Sequence, residues 1–327
     1  MVVITGASAG VGRAAARAFA ASGASVALLA RGQEGLDGAR ADVENTGARA
    51  LAIAVDVAES DAVEAAAARV EAELGPIDVW VNNAMVSVFS PFKDITAEEF
   101  RRVTEVTYLG CVYGTMAALR RMRTRDAGAI VQVGSALAYR SIPLQSAYCG
   151  AKSAIRGFTD SLRCELRHEK SRVHLTMVQM PALNTPQFAW SKSRMPRKAQ
   201  PVPPIFQPEV AARAIVWASR HRRRELYVAW PSVKAIVFGA KLAPAIGDEV
   251  LARTGYDAQQ TNEPRDPAAP NNLFAPVPGD RGAHGSFDDR AKARSFGLWS
   301  ALHKVPLAIA LGSLAVGAAA ISLKRKA

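Results

Sequence analysis

The sequence predicts an α/β fold, a Rossmann-like doubly wound parallel sheet, with a C-terminal extension and a single hydrophobic helix at the end. Two observations carry the sheet. Short apolar runs alternate with alanine-rich helical stretches through about the first 230 residues, the pattern of right-handed βαβ units. A glycine-rich turn joins the first apolar run to the first helical stretch. A third observation adds the terminal helix: Val305 to Leu323 is a run of nineteen residues without a charge.

In chain order, the apolar runs read as strands are Val2 to Ile4, Ser25 to Leu29, Ala50 to Val55, Val79 to Asn82, Ala129 to Gly134, Val173 to Gln179 and Leu226 to Ala229. Between them, Arg13 to Ala21 and Asp61 to Leu74 show helical periodicity, the second with acidic residues near its start, as the helix dipole favours. The alternation degrades after Pro231. Residues 234–253 read as one or two amphipathic helices broken at Pro244, and Glu263 to Ser286 is rich in proline, glycine, asparagine and aspartate. Such a stretch cannot bury enough apolar surface for its own core, so it is read as an extended linker or a surface wrap. The resulting partition is 1–245 as the α/β unit, 246–300 as the extension and 301–327 as the terminal helix.

The net charge of +12 invites a nucleic-acid partner, but the basic residues are scattered and no recognition motif accompanies them, so none is expected. A basic surface also suits phosphate-bearing cofactors and anionic lipid headgroups. Cys111, Cys149 and Cys164 form no CxxC pair, which argues against a structural zinc and against a disulfide framework; a reducing compartment and no metal are expected. Val2-Val3-Ile4 reads as a buried strand and not as a secretory signal, so the α/β unit is expected in the cytoplasm.

The turn is Thr5-Gly6-Ala7-Ser8-Ala9-Gly10-Val11-Gly12. Glycines let the backbone approach a pyrophosphate closely, and the following helix N-terminus offers unpaired N–H groups. Its spacing resembles the TGxxxGxG turn of the short-chain dehydrogenase/reductase family, and further motifs similar to that family's follow in order over about residues 1–230. The resemblance implies cofactor contacts from Thr5, Gly6, Ser8, Gly10, Val11 and Gly12, from Asp56 and Val57 at the adenine, and from Asn82, Ala84 and Thr185 toward the nicotinamide side. Asp56 also suits an ordinary turn. The second strand ends at Ala30-Arg31, where a carboxylate would select NAD(H); the missing acid and the added cation point to NADP(H), with a solvated loop arginine as the alternative reading.

Tyr148 and Lys152 form a YxxxK pair on one helix face, and Ser135 follows a strand whose carboxyl end is where open α/β sheets place ligands. A phenol titrates near about pH 10, so a tyrosine exchanging protons near neutrality needs a nearby cation, which Lys152 supplies. By the resemblance, Ser135 binds the substrate oxygen, Tyr148 gives or takes its proton, and Lys152 also holds the nicotinamide ribose. Two departures stand out. Met85 replaces a glycine in Asn82-Asn83-Ala84-Met85, either lining the pocket or packing in the core, and Thr107 replaces the asparagine whose carbonyl anchors the family's proton-relay water. Any residue presents a carbonyl, so Thr107 is kept among the catalytic candidates. Ala182 replaces a second family glycine in Pro181-Ala182-Leu183-Asn184-Thr185-Pro186.

Residues 187–208, with Phe188, Trp190, Met195, Pro201, Pro203, Pro204 and Phe206, fall where the family places a substrate lid. They suit a lipophilic substrate if they face it, and the protein interior if they do not. The resulting expectation is an NADP(H)-dependent oxidoreductase of carbonyls or secondary alcohols; the alternative is a cofactor-binding scaffold of the same fold. Val305 to Leu323, flanked by Lys304 and by Lys324-Arg325-Lys326, matches the roughly 20 residues of a membrane span. A helix lying in the interface is the other reading. Small residues Ala308, Gly312, Ser313 and Gly317 at four-residue steps would suit helix pairing and a homo-oligomer.

Overall fold

A computed structural model describes residues 1–229, 239 and 242–303. Its centre is a seven-stranded parallel sheet built from β1 (Val2–Thr5), β2 (Val26–Ala30), β3 (Ala50–Ala54), β4 (Val79–Asn82), β6 (Ala129–Ser135), β7 (His174–Met180) and β10 (Glu225–Tyr227). Each predicted strand is present, with ends shifted by one or two residues. The spatial order is β10-β7-β6-β4-β1-β2-β3. The chain therefore winds outward from β1 in one direction, returns, and winds outward from β4 in the other.

The pleat divides the core. Val2 and Ile4 of β1, with Val26 and Leu28 of β2, face α1 (Gly10–Ala20), α2 (Gln33–Glu44) and α8 (Pro208–Arg220). Val3, Ala27 and Leu29 face the opposite layer, made by α3 (Ser60–Leu74), α4 (Ala97–Thr104), α5 (Gly110–Arg125) and α6 (Ser146–His168). Strands buried on both faces read as continuous apolar runs for this reason. The alanines of α1 let it lie close on α8 and the sheet.

Four short strands were not foreseen: β5 (Val88–Phe89) pairs with β8 (Lys192–Ser193), and β9 (Arg197–Ala199) pairs antiparallel with β11 (Gln260–Pro264). Runs of two to five residues carry no readable period, so only their partners define them. With α7 (Gln187–Trp190), they form the segment over the carboxyl end of the sheet.

The break expected at Pro244 is present: residues 239 and 242 are helical, Ala243 leaves the helical conformation, and a new helix starts at Pro244. Pro244 stands in the first turn of that helix, Pro244–Thr254, where its missing N–H costs nothing. Beyond β11 the extension returns across the body, and it is a wrap, not a free linker. Leu273 inserts into one core layer, while Ala283 and Leu298 insert into the other. The helix Phe296–Leu302 is capped by Ser295, whose hydroxyl donates to the Val228 carbonyl at 2.7 Å. Among the described residues no helix is long and apolar enough to cross a membrane; the expected span Val305 to Leu323 lies outside them.

Candidate active site

The winding reverses between β1 and β4, and a cavity of about 670 Å³ opens there at the carboxyl edge of the sheet. Its floor is the glycine turn. Gly6 and Gly10 have φ of +65° and +56°, and a Cβ on Gly12 would stand 2.2 Å from the Gly6 carbonyl oxygen. Thr5 does not line the cavity. Its hydroxyl accepts from the N–H groups of Asn83 and Ala84 at 2.9 and 3.1 Å, while Asn83 Nδ2 donates to the carbonyls of Thr5 and Gly6 at 3.0 and 3.1 Å. These bonds lock the turn to the end of β4. The Gly10 N–H is taken by the Gly282 carbonyl at 3.0 Å, and among the described residues no carbonyl takes the N–H groups of Val11 and Gly12. Gly12 does not line the cavity, but Gly6, Gly10 and the free Val11 amide at the helix N-terminus do, which fits a dinucleotide pyrophosphate.

The adenosine end differs from expectation. Arg31 lines the cavity, but its guanidinium donates to the carbonyls of Asn272 and, at 3.3 Å, Leu273. Burial pulls its pKa below the ordinary value, opposed by Asp56. One Asp56 oxygen pairs with Arg102 and the other accepts from the Ala58 N–H at 3.0 Å. Val57 lines the cavity and packs against Gly110, where a Cβ would meet Val57 Cγ2 at 2.6 Å. The extension causes the difference, because its backbone supplies the acceptors that Arg31 uses.

Asn82 is not at the cavity wall. Its amide is buried among Trp80 Nε1, Thr115 and Gln132 at 2.8 to 3.0 Å, where it ties β4 to α5 and β6. Ser8, Ala84, Met85 and Thr185 do line the cavity, so Met85 faces the ligand space. Thr185 packs against the bare Cα of Gly10, where a Cβ would lie 3.3 Å from it.

Ser135 closes β6, and Tyr148 and Lys152 stand on α6; all three line one wall. The Ser135 hydroxyl accepts from the Leu137 N–H at 3.1 Å. Lys152 Nζ donates to the Val133 carbonyl at 2.7 Å and lies 5.6 Å from the Tyr148 ring centroid. Burial pushes the Tyr148 phenol above its ordinary value, with the Ser135 hydroxyl pulling it back, and burial pulls the Lys152 ammonium down to about 8. Desolvation by burial is the largest cause at both groups.

Thr107 is fully buried within a π-helical turn, Glu105–Leu109, between α4 and α5. Its hydroxyl donates to the Val86 carbonyl at 3.1 Å and accepts from the Val86 N–H at 3.2 Å. The side chain therefore anchors the segment after β4, and any relay role falls to the carbonyl. π-turns of this kind cluster at functional sites.

Phe89, Ile142, Phe188, Trp190, Val202 and Val250 also line the cavity, together with the polar Arg140, Gln145, Gln200 and Gln259. Lid residues divide: Phe188, Trp190, Pro201, Pro203 and Pro204 face the cavity, whereas Met195 and Phe206 are buried in the protein. The lid is held by Glu99, a buried carboxylate that the sequence reading passed over. It takes Lys192 Nζ at 2.6 Å and Arg194 Nη2 at 2.8 Å, and despite burial these partners hold its pKa at about 2. Its one legible signal was the capping box from Thr96 to Glu99.

A doubly wound sheet with a bare-backbone phosphate turn and a hydroxyl, a phenol and an ammonium at its switch point defines a dinucleotide-dependent oxidoreductase. The short chain dehydrogenase family model matches residues 1–195, and the chain belongs to that family, whose members use NAD(P). It is 33% identical to the uncharacterized oxidoreductase YxnA of Bacillus subtilis, over 84% of this chain and 77% of that protein. It is 32% identical to a 3-dehydrosphinganine reductase of Danio rerio, over 66% of this chain and 67% of that one. An alcohol dehydrogenase from the archaeon Thermococcus sibiricus, solved with 5-hydroxy-NADP, superposes with a TM-score of 0.60 at 28% identity, covering 69% of this chain and 94% of that one.

Proposed function

We propose that this oxidoreductase uses NADP(H) to interconvert a lipophilic ketone and the corresponding secondary alcohol, with Tyr148 as the acid/base. The observation that carries the reading is the meeting of Ser135, Tyr148 and Lys152 in a cavity that Phe89, Phe188 and Trp190 also line. Bound in the cleft, the cofactor would supply or accept hydride at nicotinamide C4. The glycine turn and Val11 would hold its pyrophosphate, and Thr185 and Ala84 its nicotinamide end. In the reductive direction the Ser135 hydroxyl donates a hydrogen bond to the substrate oxygen, Tyr148 delivers the proton from its phenol oxygen, and the Lys152 ammonium stabilises the phenolate left behind. Phe188 and Trp190 exclude water and seat the hydrocarbon part of the substrate.

Three findings support the finer points. Ala30 leaves the second strand without the acid that favours NAD(H). A structural neighbour was solved with 5-hydroxy-NADP, and one relative is named a 3-dehydrosphinganine reductase. The uncharged run Val305 to Leu323 supports a membrane tether beside a cytoplasmic catalytic unit. The test is oxidation of NADPH by the purified full chain against ketones of increasing chain length. Turnover rising from short to long chains is expected; preference for short polar ketones would overturn the substrate class.

A further inference from the structure

The C-terminal extension crosses the adenosine half of the cleft and brings Arg281 to its wall. Arg281 lines the same cavity as Ser8, Arg31, Gly32, Gly35 and Gly279. These residues bracket the end of β2, where the adenosine ribose of a dinucleotide on this fold is received. We propose that Arg281 is a specificity-determining residue that receives the 2′-phosphate of the cofactor, so that the extension completes the dinucleotide site. This rests on the NADP(H) reading above.

Arg281 stands on a turn pinned from three sides. Arg13, buried in α1, holds Asp280 through Nη1 at 2.7 Å and Nη2 at 3.1 Å, and also binds Asp42 at 2.6 Å. Gly38 makes room, since a Cβ there would stand 2.1 Å from Asp280 Oδ2. Glu34 accepts from the Gly279 N–H, and Gly282 offers its carbonyl to Gly10 at 3.0 Å. Arg281 itself donates Nε and Nη2 to the Pro278 carbonyl at 3.1 and 2.9 Å, which orients the guanidinium and leaves Nη1 without a partner among the described residues.

Arg31, the cation expected from the sequence at this place, is committed differently. Its two terminal nitrogens donate to the Asn272 and Leu273 carbonyls, which is a structural use of the guanidinium. The nearby acids are committed as well: Asp56 to Arg102, Asp280 to Arg13 and Glu34 to a backbone amide. A phosphate dianion arriving here meets Arg281 with a terminal nitrogen free among the described residues, and Arg31 with both terminal nitrogens engaged by the extension. Charge-assisted bonds from a guanidinium to phosphate are strong and directional.

Affinities of the full chain for NADPH, NADH and adenosine 2′,5′-bisphosphate, measured by calorimetry, test the assignment. The unmodified chain is expected to favour NADPH over NADH. In Arg281→Ala the NADPH Kd should rise tenfold or more, the NADH Kd should stay within twofold, and bisphosphate binding should fall in parallel; Arg281→Glu should reverse the preference. Tryptic cleavage after Arg281 should be slowed by the bisphosphate and not by adenosine 5′-monophosphate. An NADPH preference that survives in both variants would overturn the role of Arg281 and leave the NADP(H) reading standing. Equal affinities in the unmodified chain would remove both.

Discussion

Lys152 and Tyr148 stand one helical turn apart on α6, with the ammonium 5.6 Å from the phenol ring centre and bonded to the Val133 carbonyl. The lysine is therefore held by β6, the strand that also ends in Ser135, so strand and helix fix the three groups together. Burial leaves the pair with a raised phenol and a depressed ammonium, a wall that stores protons at Tyr148 near neutral pH.

Tyr148→Phe removes only the transferable proton. Turnover should fall by about 10²- to 10⁴-fold, the range typical of a general acid/base, while NADPH affinity stays within a few fold. Steady-state rates beside a binding titration decide it, and near-normal turnover would assign the proton to another group.

Lys152 gives the fold a pH signature. Its folded pKa of about 8 lies below its ordinary value of 10.5, so between these limits the unfolded chain binds the extra proton. Stability from this group rises with pH through that window and is lost as pH falls through about 8. Thermal unfolding of the unmodified chain and of Lys152→Met should therefore diverge in favour of the lysine from pH 8 to 10.5. Parallel curves would show that the lysine is not desolvated.

Glu99 carries the opposite signature. Its folded pKa is near 2 against an ordinary 4.5, so its contribution is complete above the ordinary value and fades as pH falls toward 2. Glu99→Gln leaves Lys192 and Arg194 without their acid and should destabilise by about 3 kcal/mol, as for one partner removed from a buried ion pair. The loss should be largest above pH 4.5. Denaturant midpoints across that range measure it.

Gly12→Ala should abolish cofactor binding, because the added methyl would stand 2.2 Å from the Gly6 carbonyl, a backbone atom that cannot yield without moving the turn. Gly23→Ala is the control: its surroundings are open, and only its φ of +81° is strained. Calorimetric titration with NADPH should show no binding in the first and near-normal affinity in the second.

Val305 to Leu323 should carry the full chain into the membrane fraction, resistant to carbonate, while a chain ending at His303 should remain in solution with its activity. The cut follows the helix Phe296–Leu302 because Leu298 belongs to the core. A full chain that stays in solution without detergent would exclude the tether.

The amino-acid sequence by itself determined the sheet, the phosphate turn and the placement of Ser135, Tyr148 and Lys152. Each is a local pattern: apolar runs buried on both faces, glycines at positive φ, and an i, i+4 pair on one helix. Tertiary structure alone decided what surrounds them. Asn82 went to a buried network and Asn83 to the turn, a choice between neighbours that depends on which face of β4 meets α5. The glycine- and proline-rich extension has no period to read, so nothing local shows that it returns more than two hundred residues to bind Arg13, Arg31 and Gly10. Nor could residue type state the protonation of the catalytic pair, since desolvation depends on everything packed around it.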